Sequence, residues 1–166
     1  MKEHIRRAHI FVLSGGFSSG DEPDGSAKFI VNVLNNRDIM TEIHALLDRG
    51  GLILGICNGF QALVKSGLLP YGRLGMVTKE SPTLFRNDIN RHISQIVTTR
   101  VASTNSPWLS SFRVGDLHSI AVSHGEGKFV VSEELARELF AAGQVAFQYA
   151  AAEGSPTAEA PYNPNG

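Results

Sequence analysis

The segment Gly51-Leu52-Ile53-Leu54-Gly55-Ile56-Cys57-Asn58-Gly59-Phe60-Gln61 constrains this chain more than any other. It sets the only cysteine between glycines at minus two and plus two, directly after an apolar run. That spacing is the layout of a nucleophile elbow, a sharp strand-to-helix turn in which small flanking residues let two backbone segments approach closely. A purely structural cysteine behaves as a small buried hydrophobe. Such a residue has no need of two glycines, which weaken a strand interior. Cys57 is therefore the candidate nucleophile, at the mouth of the helix that follows.

The surrounding pattern supplies the scaffold. His9-Ile10-Phe11-Val12-Leu13 reads as a buried strand running into the glycine-permitted loop 14–25. Apolar residues at helical spacing predict helices over 26–35 and 37–49, stopped by Gly50-Gly51, and 52–56 reads as a strand covered on both faces. Strand, helix, strand, helix is α/β order. The second half changes character: 95–101, 120–122 and 144–149 read as strands separated by polar turns, and 132–142 as a helix capped by Ser132 and stopped at Gly143. The tail 150–166 carries no periodic segment. The expected architecture is a single α/β domain over 1–166, a mostly parallel sheet with helices on both faces and a small antiparallel appendage.

With 166 residues, 42% hydrophobic content and a net charge of −1, the chain suits one globular core, and its scattered basic residues offer no face for nucleic acid. No apolar run spans a bilayer, and Met1-Lys2-Glu3-His4-Ile5-Arg6-Arg7 lacks the apolar stretch of a signal peptide, so the expected location is the cytoplasm. One cysteine excludes an internal disulfide, and no cluster of ligands at metal-binding spacing stands in the sequence.

A cysteine hydrolase needs a base, usually a histidine oriented by a carboxylate or amide. Of six histidines, His4, His9 and His44 read as solvated or edge residues, and His92 lies in a polar loop. His118 and His124 flank a strand. On chemistry alone His124 with Glu126 makes a base and orienter, while Ser123-His124-Gly125-Glu126-Gly127 reads equally well as a glycine-rich reversal between strands. The oxyanion donors of an elbow are the N–H after the nucleophile, here Asn58, and one from a neighbouring strand-to-helix loop, for which Ser14-Gly15-Gly16 is suited.

Gly55 to Gln61, taken with Leu13-Ser14-Gly15-Gly16-Phe17-Ser18, resembles the class I (triad) glutamine amidotransferases. The ordered set Gly20-Asp21-Glu22, Gly67-Leu68-Leu69-Pro70, Ser106-Pro107-Trp108-Leu109 and His124-Gly125-Glu126-Gly127 narrows the resemblance to the glutaminase domains of phosphoribosylformylglycinamidine synthases. The resemblance covers about residues 9–150. It implies a flavodoxin-like three-layer fold, glutamine as substrate, and Cys57 forming a glutamyl thioester with release of ammonia. It further implies an oxyanion hole from the backbone of Gly16 and Asn58, substrate binding by Gln61, and Ser123 and His124 on the rim near substrate or the synthetase interface. The glutaminase itself needs no cofactor; ATP and magnesium belong to the synthetase portion, which receives the ammonia. The family carries its catalytic histidine and glutamate in a Gly-His-Pro-Glu type motif near the C-terminus. No such motif occurs in this chain, so those residues are expected beyond Gly166, and the first strand-helix unit is expected to be missing as well. His124 then gives way as base. A stand-alone cysteine hydrolase using His124 and Glu126, and a noncatalytic docking module on the same scaffold, are the alternatives.

Overall fold

The computed structural model describes residues 1–16 and 27–166. The expected start of the first long helix at Ser26, the end of the 14–25 loop, and the residues Phe17, Ser18 and Gly20-Asp21-Glu22 lie outside them. The described chain divides into two compact units, Met1–Thr83 and Leu84–Gly166.

The first unit runs α1 (Lys2–Arg7), β1 (Ile10–Leu13), α2 (Lys28–Leu34), α3 (Arg37–Asp48), β2 (Leu52–Gly55), α4 (Asn58–Lys65) and α5 (Leu68–Tyr71). β1 and β2 pair in parallel, with Ile10 opposite Leu52 and Leu13 opposite Gly55. Leu34, Ile39, Ile43, Ala62, Leu63 and Leu68 form the buried cluster under this pair, and Phe11, Leu13 and Ile53 pack against it. Helical spacing points Leu34, Ile39, Ile43, Ala62 and Leu63 to this core, whereas Ile10 and Val12 of β1, expected to be buried, are each 50% exposed. α3 opens as its sequence dictates: Asn36 Oδ1 accepts from the N–H groups of Asp38 (3.0 Å) and Ile39 (3.4 Å), and Asp38 stands in the first turn.

α1 is an addition to the sequence expectation. Its single buried residue is Ile5, too little for a periodic signal, and its helicity is enforced from 36 residues away, where Arg6 Nη2 pairs with the buried Glu42 carboxylate at 2.5 Å. The guanidinium of Arg49 also donates to the carbonyls of Ile5 and Ala8 at 2.9 Å each. The hydrogen bond from Arg6 holds the Glu42 carboxyl below its ordinary range.

The second unit contains β4 (Ile93–Val101), a 3-10 turn (Pro107–Leu109), β5 (Leu117–His124), β6 (Lys128–Val130), α6 (Glu133–Ala141) and β7 (Phe147–Tyr149); β3 (Thr83–Phe85) begins on the last residue of the first unit. β4 lies between β5 and β7, antiparallel to both, and β3 pairs with β6. The antiparallel part is larger than an appendage, because β4 and β5 extend beyond their apolar centres: Ile93 pairs with His124 and Arg100 with Leu117. α6 matches its sequence signals closely. Ser132 Oγ accepts from the Leu135 N–H at 3.2 Å, Glu133 pairs with Arg137 one turn on, and Gly143 adopts φ +66° just past the end. Among the described residues, no helix is long and apolar enough to cross a membrane.

Candidate active site around Cys57

Cys57 connects β2 to α4 with φ 54° and ψ −115°. A non-glycine residue there stores roughly 1–3 kcal/mol of strain and persists only where its surroundings over-determine it. Three backbone hydrogen bonds do so: Ile56 N–H to Leu13 O (2.9 Å), Gly59 N–H to Ile56 O (2.9 Å) and Gln61 N–H to Cys57 O (3.1 Å). The thiol is exposed.

Both flanking glycines are sterically required. A Cβ at position 59 would lie 2.0 Å from Leu13 O, and one at position 55 would lie 2.6 Å from Leu63 Cδ1 and 2.9 Å from the Gly59 carbonyl. The elbow thus presses α4 against β1 at backbone contact. Gly15 extends the same packing, since a Cβ there would meet the Cys57 Cβ at 2.9 Å. The next residue, Gly16, takes φ +110° with open space around it.

These features open onto a cavity of about 330 Å³, lined among others by Leu13, Ser14, Gly15, Gly16 and Asn58. Gly16 and Asn58, the two expected oxyanion donors, therefore line one space beside the nucleophile's turn. Asn58 and Gln61 are both buried, in the first turn of α4.

The remaining sequence candidates lie in the second unit. Ser123 Oγ is 2.9 Å from His92 Nε2. His124 Nδ1 is 3.0 Å from Asn87 Oδ1. The orienting group on that ring nitrogen is thus Asn87, a residue that sequence reasoning missed, where neighbourhood in the chain pointed to Glu126. Burial, and after it the charge of His92, hold the His124 imidazole below its ordinary range. His44 is a structural acceptor, its Nε2 receiving the Leu74 N–H at 3.0 Å. Among the described residues, no group of three or more His, Cys, Asp or Glu could hold a metal ion.

Comparison with known proteins decides the family. The family described as CobB/CobQ-like glutamine amidotransferase domain matches residues 1–166. The chain belongs to this family. Among curated relatives of this glutamine amidotransferase domain, a phosphoribosylformylglycinamidine synthase subunit PurQ from Salinibacter ruber is 35% identical over 157 residues, 95% of the chain and 59% of the relative. The PurQ subunit from Koribacter versatilis is 34% identical over 164 residues, 98% of the chain and 62% of the relative. The chain thus spans about six tenths of the length of these relatives. A solved structure of PurLQS from Thermotoga maritima aligns with a TM-score of 0.59 at 29% identity, covering 76% of this chain and 52% of that one. The mixed parallel and antiparallel α/β architecture is that of this amidotransferase fold.

Proposed function

We propose that this chain is the nucleophile-bearing part of a glutaminase that supplies ammonia to a phosphoribosylformylglycinamidine synthase in purine biosynthesis. The observation that carries the reading is the strained Cys57 elbow, built on Gly55 and Gly59, in a chain whose relatives bear the name of that synthase's PurQ subunit.

In the proposed reaction Cys57 Sγ attacks the carboxamide carbon of glutamine. The N–H groups of Gly16 and Asn58 stabilise the tetrahedral oxyanion, a task for which preorganised backbone donors are suited. The C–N bond breaks, the nitrogen leaves as ammonia with the proton taken from the thiol, and a glutamyl thioester remains. Water then hydrolyses the thioester, yielding glutamate and restoring the thiol. Gln61 helps to hold the substrate, and Ser123 and His124 lie near substrate or the synthetase. No Gly-His-Pro-Glu type motif, which carries the family's catalytic histidine and glutamate, occurs among residues 1–166. The ammonia passes to a synthetase partner that uses ATP and magnesium to convert formylglycinamide ribonucleotide to the amidine in the cytoplasm.

One observation favours a second reading. His124 carries an orienting amide, Asn87, the arrangement of a cysteine hydrolase that needs no residue beyond those present. The experiment measures ammonia release from glutamine by the 166-residue chain and by one extended through a Gly-His-Pro-Glu type motif, each with a synthetase partner and a Cys57→Ser control. Cysteine-dependent release from the extended chain alone supports the glutaminase reading. Equal release from both, lost on His124→Ala, supports the hydrolase. Absence of release and of Cys57 labelling by a glutamine analogue leaves a docking module.

A further inference from the structure

Gly15 stands opposite the nucleophile, and its own backbone does not ask for glycine. Its φ lies outside the left-handed region, unlike that of Gly16 at +110°, so an L side chain suits the local conformation. What excludes one is the elbow. The three nearest atoms that a Cβ at position 15 would meet are Cys57 Cβ at 2.9 Å, Ile56 O at 3.4 Å and Cys57 Sγ at 3.7 Å. The missing side chain thus leaves room for the nucleophile's own.

Two groups could give way to a methyl there, and only one is free to do so. Rotation about χ1 of Cys57 moves Sγ and leaves Cβ where the backbone puts it. That backbone is held on both sides: Ile56 N–H donates to Leu13 O, and Gln61 N–H donates to Cys57 O. Gly59 lies in backbone contact with Leu13, which pairs with Gly55 across β1 and β2. The pinning ends at Leu13, and Ser14, Gly15 and Gly16 are exposed. A methyl at position 15 is therefore accommodated by segment 14–16 moving out by roughly 0.5 Å, the step from 2.9 Å to the 3.4 Å at which ordinary contact begins. The Gly16 N–H moves with it.

We propose that Gly15 is a positioning residue: its lack of a side chain sets the separation of the Cys57 thiol from the Gly16 N–H, so that this donor stands where the oxyanion forms. The inference rests on the glutaminase reading for the role of Gly16 and adds the residue that fixes the spacing of nucleophile and donor. A glycine kept only for packing would alter stability and leave the balance between reactions at the sulfur unchanged.

The test compares two reactions of the same thiol in the wild-type chain and in Gly15→Ala, with Cys57→Ala as background. Iodoacetamide alkylates the sulfur by displacing iodide, and no oxyanion forms. p-Nitrophenyl acetate acylates it through a tetrahedral oxyanion, releasing p-nitrophenolate, with the thiol proton passing to solvent. A displacement of 1 Å can cost about 100-fold in rate, so half that distance is expected to slow acylation about 10-fold while alkylation stays within about twofold. Equal falls in both rates, or no fall in either, overturn the proposal. A wild-type chain that alkylates and never acylates overturns it too. Thermal unfolding of Gly15→Ala, Cys57→Gly and the double variant then checks the contact itself. Cys57→Gly removes the Cβ, so adding Gly15→Ala to it is expected to leave Tm unchanged, whereas Gly15→Ala alone lowers it. A penalty that survives loss of the Cys57 Cβ overturns the proposal. So does a Gly15→Ala chain that fails to fold, because an exposed segment that yields leaves the core intact. Neither measurement uses glutamine or ammonia, so failure of the glutaminase reading and failure of this one are told apart.

Discussion

Gly59→Ala puts the elbow to a direct test, because two physical effects pull in opposite directions. Position 59 lies inside α4, where alanine is favoured over glycine by about 1 kcal/mol. Against that, the new Cβ would stand 2.0 Å from Leu13 O, 2.6 Å from Leu13 C and 2.8 Å from Leu13 Cβ. Relief requires β1 and α4 to separate by roughly 1 Å, and no flexible side-chain end is available to give way. Overpacking of a dense interior costs about 1–3 kcal/mol, and a backbone contact this close belongs at the top of that range. The net expectation is a loss of about 2 kcal/mol, or roughly 8–16 °C in Tm for a unit of this size. Urea unfolding followed by far-ultraviolet circular dichroism measures it, with Gly125→Ala as control, since a Cβ there meets nothing within 4 Å. A Gly59→Ala chain as stable as wild type refutes the argument that β1 and α4 touch through their backbones.

Three further outcomes are expected. His124 has a folded-state pKa below its unfolded value, so the unfolded chain binds the extra proton first; stability is full above about pH 6.5 and falls as pH drops below it. Urea midpoints from pH 7.5 to 5 check this, and His124→Gln should flatten the profile. Asn36→Ala removes the cap of α3 and should cost about 1 kcal/mol in the same assay, with glycine there costing a few tenths. Gly127→Ala forces a Cβ onto the His124 ring and should destabilise the second unit by about 1–3 kcal/mol, read from Trp108 fluorescence on unfolding.

The elbow was legible because its spacing is local: Gly55, Cys57 and Gly59 are spaced as a strand-to-helix turn dictates, and each clash that the two glycines avoid involves α4 itself or the adjoining β1. α6 was legible to within a residue, since Ser132, Glu133 and Gly143 state its limits in the sequence. α1 was hidden. Its one buried side chain and its ion pair to Glu42 depend on packing 36 residues away. Asn87 was hidden for the same reason, being a polar residue in a polar stretch whose contacts with His124 and Gly127 lie 37 and 40 residues along the chain. Periodicity reports burial of apolar faces and says nothing of a buried amide that bridges distant loops.

The glycine contacts of the elbow carry a consequence for how such a chain can vary. The sulfur's position is indexed to main-chain atoms, Leu13 O on one side and the Gly59 backbone on the other, while the side chains of Leu34, Ile39 and Ile43 set the strength of the core. Substitutions among those apolar residues can therefore drift, trading melting temperature up or down, while the nucleophile stays in register with the β1 carbonyl. Core positions away from the elbow can thus be retuned for stability alone, whereas a change at Gly59 costs stability and the placement of the nucleophile together.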